Sequence, residues 1–342
     1  MLFFRKKKIN ALIFLYSNGF NTFTLLNARL MKEIEGYTII NKLPGNTFFD
    51  VFTGIENTSS RNVVIKAFSG KDNEYSQEDW VSMLLIKEYE TSRVLSKKGI
   101  TPVCTLKEVD NTEFLIYYTD DYSFFIDYAD KKTTNYELVY KIAIEICRQL
   151  ELSHDRGFAH FNLNPQSILI ERSTLNVKFI DFCTISRYDL FCNLAYIAPE
   201  ETGKLALKAD YRSDFYSIGL ILYQMVTGFH PIKEQDAKTI NRKQITDRFI
   251  EPNKIDDVIP TALSDIIFKL TSKQASLRYQ NATSLKYDLL KAQELLLEKQ
   301  EKRSFGLGGI DYISDIKFPE ANAFFEREKE EIIEIIKQTH CD

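Results

Sequence analysis

Four short stretches of this chain bring together residue types that work in a cleft. VVIK, residues 63–66, places Lys66 after three apolar residues, which favours a cleft-facing position over a solvated strand end. A helical stretch further on offers two acids, Glu88 and Glu90, which cannot share one helix face, so only one can serve the cleft. HFNLNPQS, residues 160–167, presents amides at Asn162 and Asn164 and a hydroxyl at Ser167. FIDFC then sends Asp181 out of the apolar run VKFI, and an acid leaving a buried strand at a cleft is rarely there for packing. The chemistry such a set offers is positioning and charge. An amide cannot act as a general base, and the Asn162 oxygen can at most orient a hydroxyl.

The elements that must hold these residues follow from pattern. GYTIINKL and FFDVFTGI are rich in aromatic and β-branched residues, NTSSRN is a turn signal, and RNVVIKAF reads as a further strand. WVSMLLIKEYETSRVLSKKG has apolar residues near helical spacing and stops at Lys97, Lys98 and Gly99. CTLKEVD and TEFLIYYTD read as a hairpin-like pair. Beyond them helices dominate. YELVYKIAIEICRQLELSHDRG is amphipathic, SIGLILYQMVTG is apolar nearly all round and predicts a buried central helix, and LKYDLLKAQELLLEKQEKR closes the series. A β-rich lobe over 36–119 followed by a helical lobe over 120–303 is an α+β arrangement with a cleft between the lobes.

The bulk numbers are those of an ordinary globular chain: 342 residues, 44% hydrophobic, 27% charged, net charge -4. That charge gives no nucleic-acid footprint. The cysteines, at 104, 147, 183, 192 and 341, form no C-x-x-C pair and read as reduced thiols of a cytoplasmic protein. The four histidines lack metal-ligand spacing. Residues 1–35 read as a disordered or over-extended start, basic at first; INALIFLY within them is too short to span a bilayer. Residues 304–342 read as a Gly-rich linker and a final helix.

Taken singly these motifs are weak, but their order is specific: VVIK, Glu88, HFNLNPQS, DFC, APE at 198–200, DYRSDFYSIG at 210–219 and Arg278. Together they resemble the eukaryotic-type serine/threonine protein kinase family over residues 36–300, which implies a bilobal kinase-like fold. The resemblance makes Lys66 the lysine that grips the ATP phosphates, Glu88 its helix partner, and Asp181 the residue facing Mg²⁺. It makes Glu200 and Arg278 a buried ion pair, Asp214 an acid bonded to the backbone of the catalytic loop, and Gly219 a point of close helix packing.

The departures concentrate in the loop. Against the family pattern H-R-D-L-K-P-x-N, Asn162 replaces the base, Asn164 replaces a lysine, Ser167 replaces an asparagine that binds a second Mg²⁺, and Phe161 replaces an arginine. Asn193 stands where the family usually keeps a threonine, and Cys183 where it keeps a glycine. LPGNTFFDVF, in the place of a phosphate-covering glycine loop, holds only Gly45, with Pro44 and Phe49 at glycine positions. The expectation is a pseudokinase that retains ATP binding through Lys66, Glu88 and Asp181, the alternative a slow serine/threonine kinase in which Asn162 orients the substrate hydroxyl.

A narrower resemblance lies in NLAYIAPEETGKLALKADYRSDFYSIG, which is similar to the kinase-like domain opening large bacterial signalling proteins. There the domain precedes an AAA-type ATPase, sensor and histidine-kinase modules. This implies a protein substrate or a regulated partner, such as a downstream ATPase or sensor module. The last helix reads either as the connector into that ATPase or as an extension folding back on the helical lobe.

Overall fold

The computed structural model describes residues 34, 36–43, 49–68, 79–109, 112–129, 132–182, 193–205, 208–233 and 236–312. The N-terminal extension, Pro44 and Gly45 of the glycine-poor loop, Cys183 and the final helix lie outside the described residues.

Five antiparallel strands form the first lobe: β1 (Tyr37–Leu43), β2 (Phe49–Glu56), β3 (Asn62–Phe68), β4 (Cys104–Val109) and β5 (Thr112–Tyr118), in the order β1-β2-β3-β5-β4. The alternation in β3 sends Val63, Ile65 and Ala67 to one face, where they pack with Tyr37, Phe52, Phe114 and Ile116. Val64 goes to the opposite face, packed against Leu84 and Leu85 of helix α1 (Asp79–Ser96). VVIKAF is therefore buried on both sides, and Lys66 lies on the face that looks toward α1. Leu84, Leu85, Glu88, Ser92 and Leu95, all buried, recur at helical spacing along α1, whereas Glu90 is exposed.

The sheet changes after Tyr118. Strand β6 (Tyr122–Phe124) pairs with β7 (Ile168–Glu171), which pairs with β8 (Val177–Phe179). Helix α2 (Ile126–Ala129) and the long α3 (Tyr136–His154) lead into the second lobe, and the Asn135 side chain caps α3 by accepting from Leu138 N–H at 3.0 Å. Helix α4 (Arg212–Thr227) is buried along nearly its whole length, as the apolar residues on nearly all sides of SIGLILYQMVT predict. It ends at Gly228 in the left-handed conformation. Around it sit α5 (Ala237–Thr246), α6 (Pro252–Ile255), α7 (Thr261–Leu270) and α8 (Ala282–Leu297). Gly219 of α4 meets α7 so closely that a Cβ there would lie 2.8 Å from Leu270 Cβ. The result is a two-lobed α+β molecule.

Residues 304–312 are bonded to the helical lobe. Gly308 N–H donates to Asp288 Oδ2 at 2.7 Å, Ser284 Oγ to Ile310 O at 3.0 Å, and Asn281 Nδ2 to Tyr312 O at 2.8 Å. Phe305 and Leu307 pack on the main core. Polar side chains at the start of α8 hold the backbone of this segment in place, a role its own composition does not reveal.

Candidate functional site

The site is assembled where the two sheets and α1 meet. Lys66 Nζ donates to Glu88 Oε2 at 2.6 Å and also to Asp181 Oδ1. The ring of Phe49 lies over the same ammonium, its centroid 4.6 Å away. Burial by itself would push the Lys66 ammonium down; the carboxylates of Asp181 and Glu88 outweigh it and hold it well above the usual lysine range. Glu88 is pushed up by its own burial, against the pull of Lys66.

Tyr117 completes this half, and pattern reasoning passed over it. Its hydroxyl donates to Glu88 Oε1 at 2.8 Å and lies 2.9 Å from Ser92 Oγ. Both oxygens of Glu88 are thereby engaged. Burial, and then the Glu88 carboxylate, keep the Tyr117 phenol well above its ordinary range. In the register β3 to β5, Val64 faces Tyr117 and Lys66 faces Leu115, so Tyr117 shares the face of Lys66. The signal exists in strand parity, but it can be used only once the register is known.

The loop 160–167 joins α3 to β7 and is fixed from below. Asp214 Oδ2 accepts from His160 N–H and Oδ1 from Phe161 N–H, both at 2.8 Å. His154 Nε2 also lies 2.8 Å from Asp214 Oδ2. These bonds hold Phe161 at φ 57, a conformation that a bulky residue adopts only when its surroundings enforce it. His160 Nε2 donates to Ile180 O at 3.0 Å, and its ring packs on Phe182 at 4.3 Å between centroids. Burial lowers the His160 imidazole to about 4, so it is neutral and committed to the fold.

Asp181 follows β8 with φ 64 and faces the loop across the cleft. Asn162 Nδ2 donates to Asp181 Oδ2 at 2.6 Å and lies 3.2 Å from Asp181 O. Asn162 Oδ1 accepts from Asn193 N–H at 3.0 Å and, more weakly, from Asn164 Nδ2 at 3.4 Å. Asn164 Nδ2 bonds Asn162 O at 2.8 Å, while its Oδ1 takes the N–H of Gln166 at 2.9 Å. Ser167 Oγ, 1% exposed, accepts from Asn164 N–H and donates back into the loop, 3.0 Å from Asn162 O. The structure thus brings Lys66, Glu88, Asp181 and Asn162 into one continuous network, and turns Asn164 and Ser167 inward to hold the loop.

Below the cleft, Arg278 is 0% exposed and pairs with Glu200 through two bonds, at 2.6 and 2.8 Å. Its Nε reaches Ser272 O at 2.8 Å. This pair ties the segment before α4 to the turn after α7.

Comparison with known proteins decides the family. The protein kinase domain family matches residues 37–290, most of the chain. The chain belongs to the protein kinase family. It is 29% identical over 231 residues to a probable serine/threonine-protein kinase of Clostridium perfringens, a match covering 65% of this chain and 33% of that protein. Histidine protein kinase 1 of Candida albicans is 26% identical over 172 residues, covering 46% of this chain and 7% of that protein. The chain thus spans about a third or less of the length of these two relatives. The crystal structure of the Mycobacterium tuberculosis PknI kinase domain, as a C20A_R136A double mutant, aligns at a TM-score of 0.56 with 14% identity, covering 77% of this chain and 98% of that one. The bilobal fold is the kinase fold. Among the described residues no helix is long and apolar enough to cross a membrane.

Kinase domains generally use ATP with Mg²⁺. The residues of this domain fit the two halves of that cofactor differently. The Lys66–Glu88 pair presents a fixed ammonium to a phosphate. The donor set for a cation does not fit: Asp181 has each oxygen on an N–H donor, and the Ser167 hydroxyl is sealed in its loop. No cluster of three or more His, Cys, Asp or Glu side chains among the described residues is placed to hold a metal ion.

Proposed function

We propose that this domain is a pseudokinase: a cytoplasmic, ATP-binding regulatory member of the protein kinase family that does not turn over as an enzyme. The observation that supports this most directly is the bonding of Asn162. Its amide replaces the family's base, and both ends of the amide are already engaged, the nitrogen by Asp181 and the oxygen by Asn193. Neither end is left to take or orient a substrate proton. His160, neutral and buried, is no substitute. Loss of one positioned base commonly costs about 10²–10⁴ in rate. Nucleotide binding is supported by the formed Lys66–Glu88 pair, braced by Tyr117. An incoming phosphate must first turn aside the Phe49 ring, so affinity is modest.

The partner in this reading is a protein, in keeping with the family, and a signalling module downstream of the kinase fold suits it best. The similarity to a short part of a much longer histidine protein kinase favours that arrangement. The second reading, a slow serine/threonine kinase, draws on the same intact Lys66–Glu88–Asp181 set. Radiolabelled ATP with Mg²⁺, the purified chain and a generic protein substrate separate the two. No transfer above an Asp181→Ala control is expected; transfer that vanishes in that control would refute the pseudokinase reading.

A further inference from the structure

We infer that Asn162 takes the place of a divalent cation on Asp181, so that this cleft binds ATP without Mg²⁺. The inference rests on the nucleotide-binding reading above and adds to it the chemical form of the ligand.

The polar groups decide it one by one. Asp181 Oδ1 is bonded by the Lys66 ammonium, and Oδ2 by the Asn162 amide nitrogen at 2.6 Å. That amide cannot turn over. Its oxygen faces two donors, Asn193 N–H and Asn164 Nδ2, and its nitrogen faces a carboxylate. A flip would set donors against donors and oxygen against oxygen. A cation approaching Asp181 Oδ2 therefore meets the positive end of a fixed N–H dipole. It must also displace a lysine that is held in place by Glu88.

The neighbouring oxygens do not help. Mg²⁺ needs a near-octahedral oxygen shell and gives up its waters reluctantly. Ser167 Oγ and Asn164 Oδ1 are spent on the loop itself. Among the described residues the cleft floor presents one carboxylate with an N–H donor on each of its oxygens, and Lys66 is the cation that meets phosphate. Asn162 is thus a positioning residue acting through Asp181, and its amide does by hydrogen bonding what a cation does by charge.

The experiment titrates the whole chain with ATP by calorimetry, in EDTA and in excess Mg²⁺, for wild type and Asn162→Asp. For wild type the two dissociation constants should agree within about twofold. In Asn162→Asp, Mg²⁺ should tighten binding by about tenfold or more, because two adjacent carboxylates now form a cation site. Thermal midpoints of both proteins, measured without nucleotide, establish that each is folded. Wild-type binding that Mg²⁺ tightens tenfold overturns the inference and leaves the nucleotide-binding reading standing. Absence of ATP binding in both buffers overturns that reading, and the inference with it. The wild-type comparison alone decides the matter if the variant does not fold.

Discussion

Replacing Asn162 by aspartate sets a second carboxylate against Asp181 where an N–H donor now sits 2.6 Å from Oδ2. Two unit charges about 4 Å apart repel by about 4 kcal/mol at an effective dielectric of about 20. The lost charge-assisted hydrogen bond adds about 1.5–3 kcal/mol. Two effects reduce the sum. The Asp181 side chain is 28% exposed, so solvent screens part of the repulsion. The donors on the other side, Asn193 N–H and Asn164 Nδ2, serve a carboxylate oxygen as well as an amide oxygen. The net loss expected is about 2–4 kcal/mol, which lowers the melting temperature of a domain this size by about 5–15 °C. Asn162→Ala removes the bond without adding charge, so its smaller loss isolates the repulsive part. Differential scanning fluorimetry in EDTA and then in Mg²⁺ is the assay. Mg²⁺ should recover several degrees for Asn162→Asp and leave wild type nearly unmoved. If Asn162→Asp melts with wild type in EDTA, the bond between Asn162 and Asp181 does not stabilise the cleft and the reasoning fails.

Other consequences follow from the same geometry. Tyr117→Phe keeps the ring but removes the hydroxyl bonded to Glu88 and Ser92, and should cost about 1–3 kcal/mol in urea unfolding. Arg278→Ala leaves Glu200 buried without its partner and should cost about 3–5 kcal/mol, read as lost folded protein or a lowered urea midpoint. Phe49→Ala uncovers the Lys66 ammonium, so ATP affinity measured by calorimetry should rise several-fold even as stability falls by about 3–5 kcal/mol. His160 should make the fold acid-sensitive. Its imidazole sits at about 4 in the folded chain, below the ordinary 6.5, so the unfolded state binds the proton more readily between those values. Stability from this group is full above 6.5 and falls as pH drops toward 4, which melting curves across that range would reveal.

Much of the fold was legible because its signals are local. The apolar, β-branched run in RNVVIKAF, the helical spacing around Glu88 and the apolar run of SIGLILYQMVTG each predict an element from its own residues, and β3, α1 and α4 are those elements. The order of motifs was enough to separate a retained scaffold from an altered loop, and the Glu200–Arg278 pair and the Asp214 contacts show how that scaffold is built. What holds residues 304–312 was not legible in their glycine content, because the bonds that fix them come from α8.

By itself the sequence singled out Lys66, Glu88, Asp181 and Asn162 as candidates for one cleft, with an amide at position 162 where the family it resembles keeps a carboxylate. It could not say what that amide does. Only the tertiary structure turned the Asn162 nitrogen onto Asp181 and closed its oxygen with Asn193, set Tyr117 on Glu88, and laid Phe49 over Lys66. The physical reason is range. Periodicity and neighbouring apolar residues act within a turn or a strand, whereas these contacts join residues 17 to 31 positions apart, brought together by strand register and by the approach of β8 to the loop.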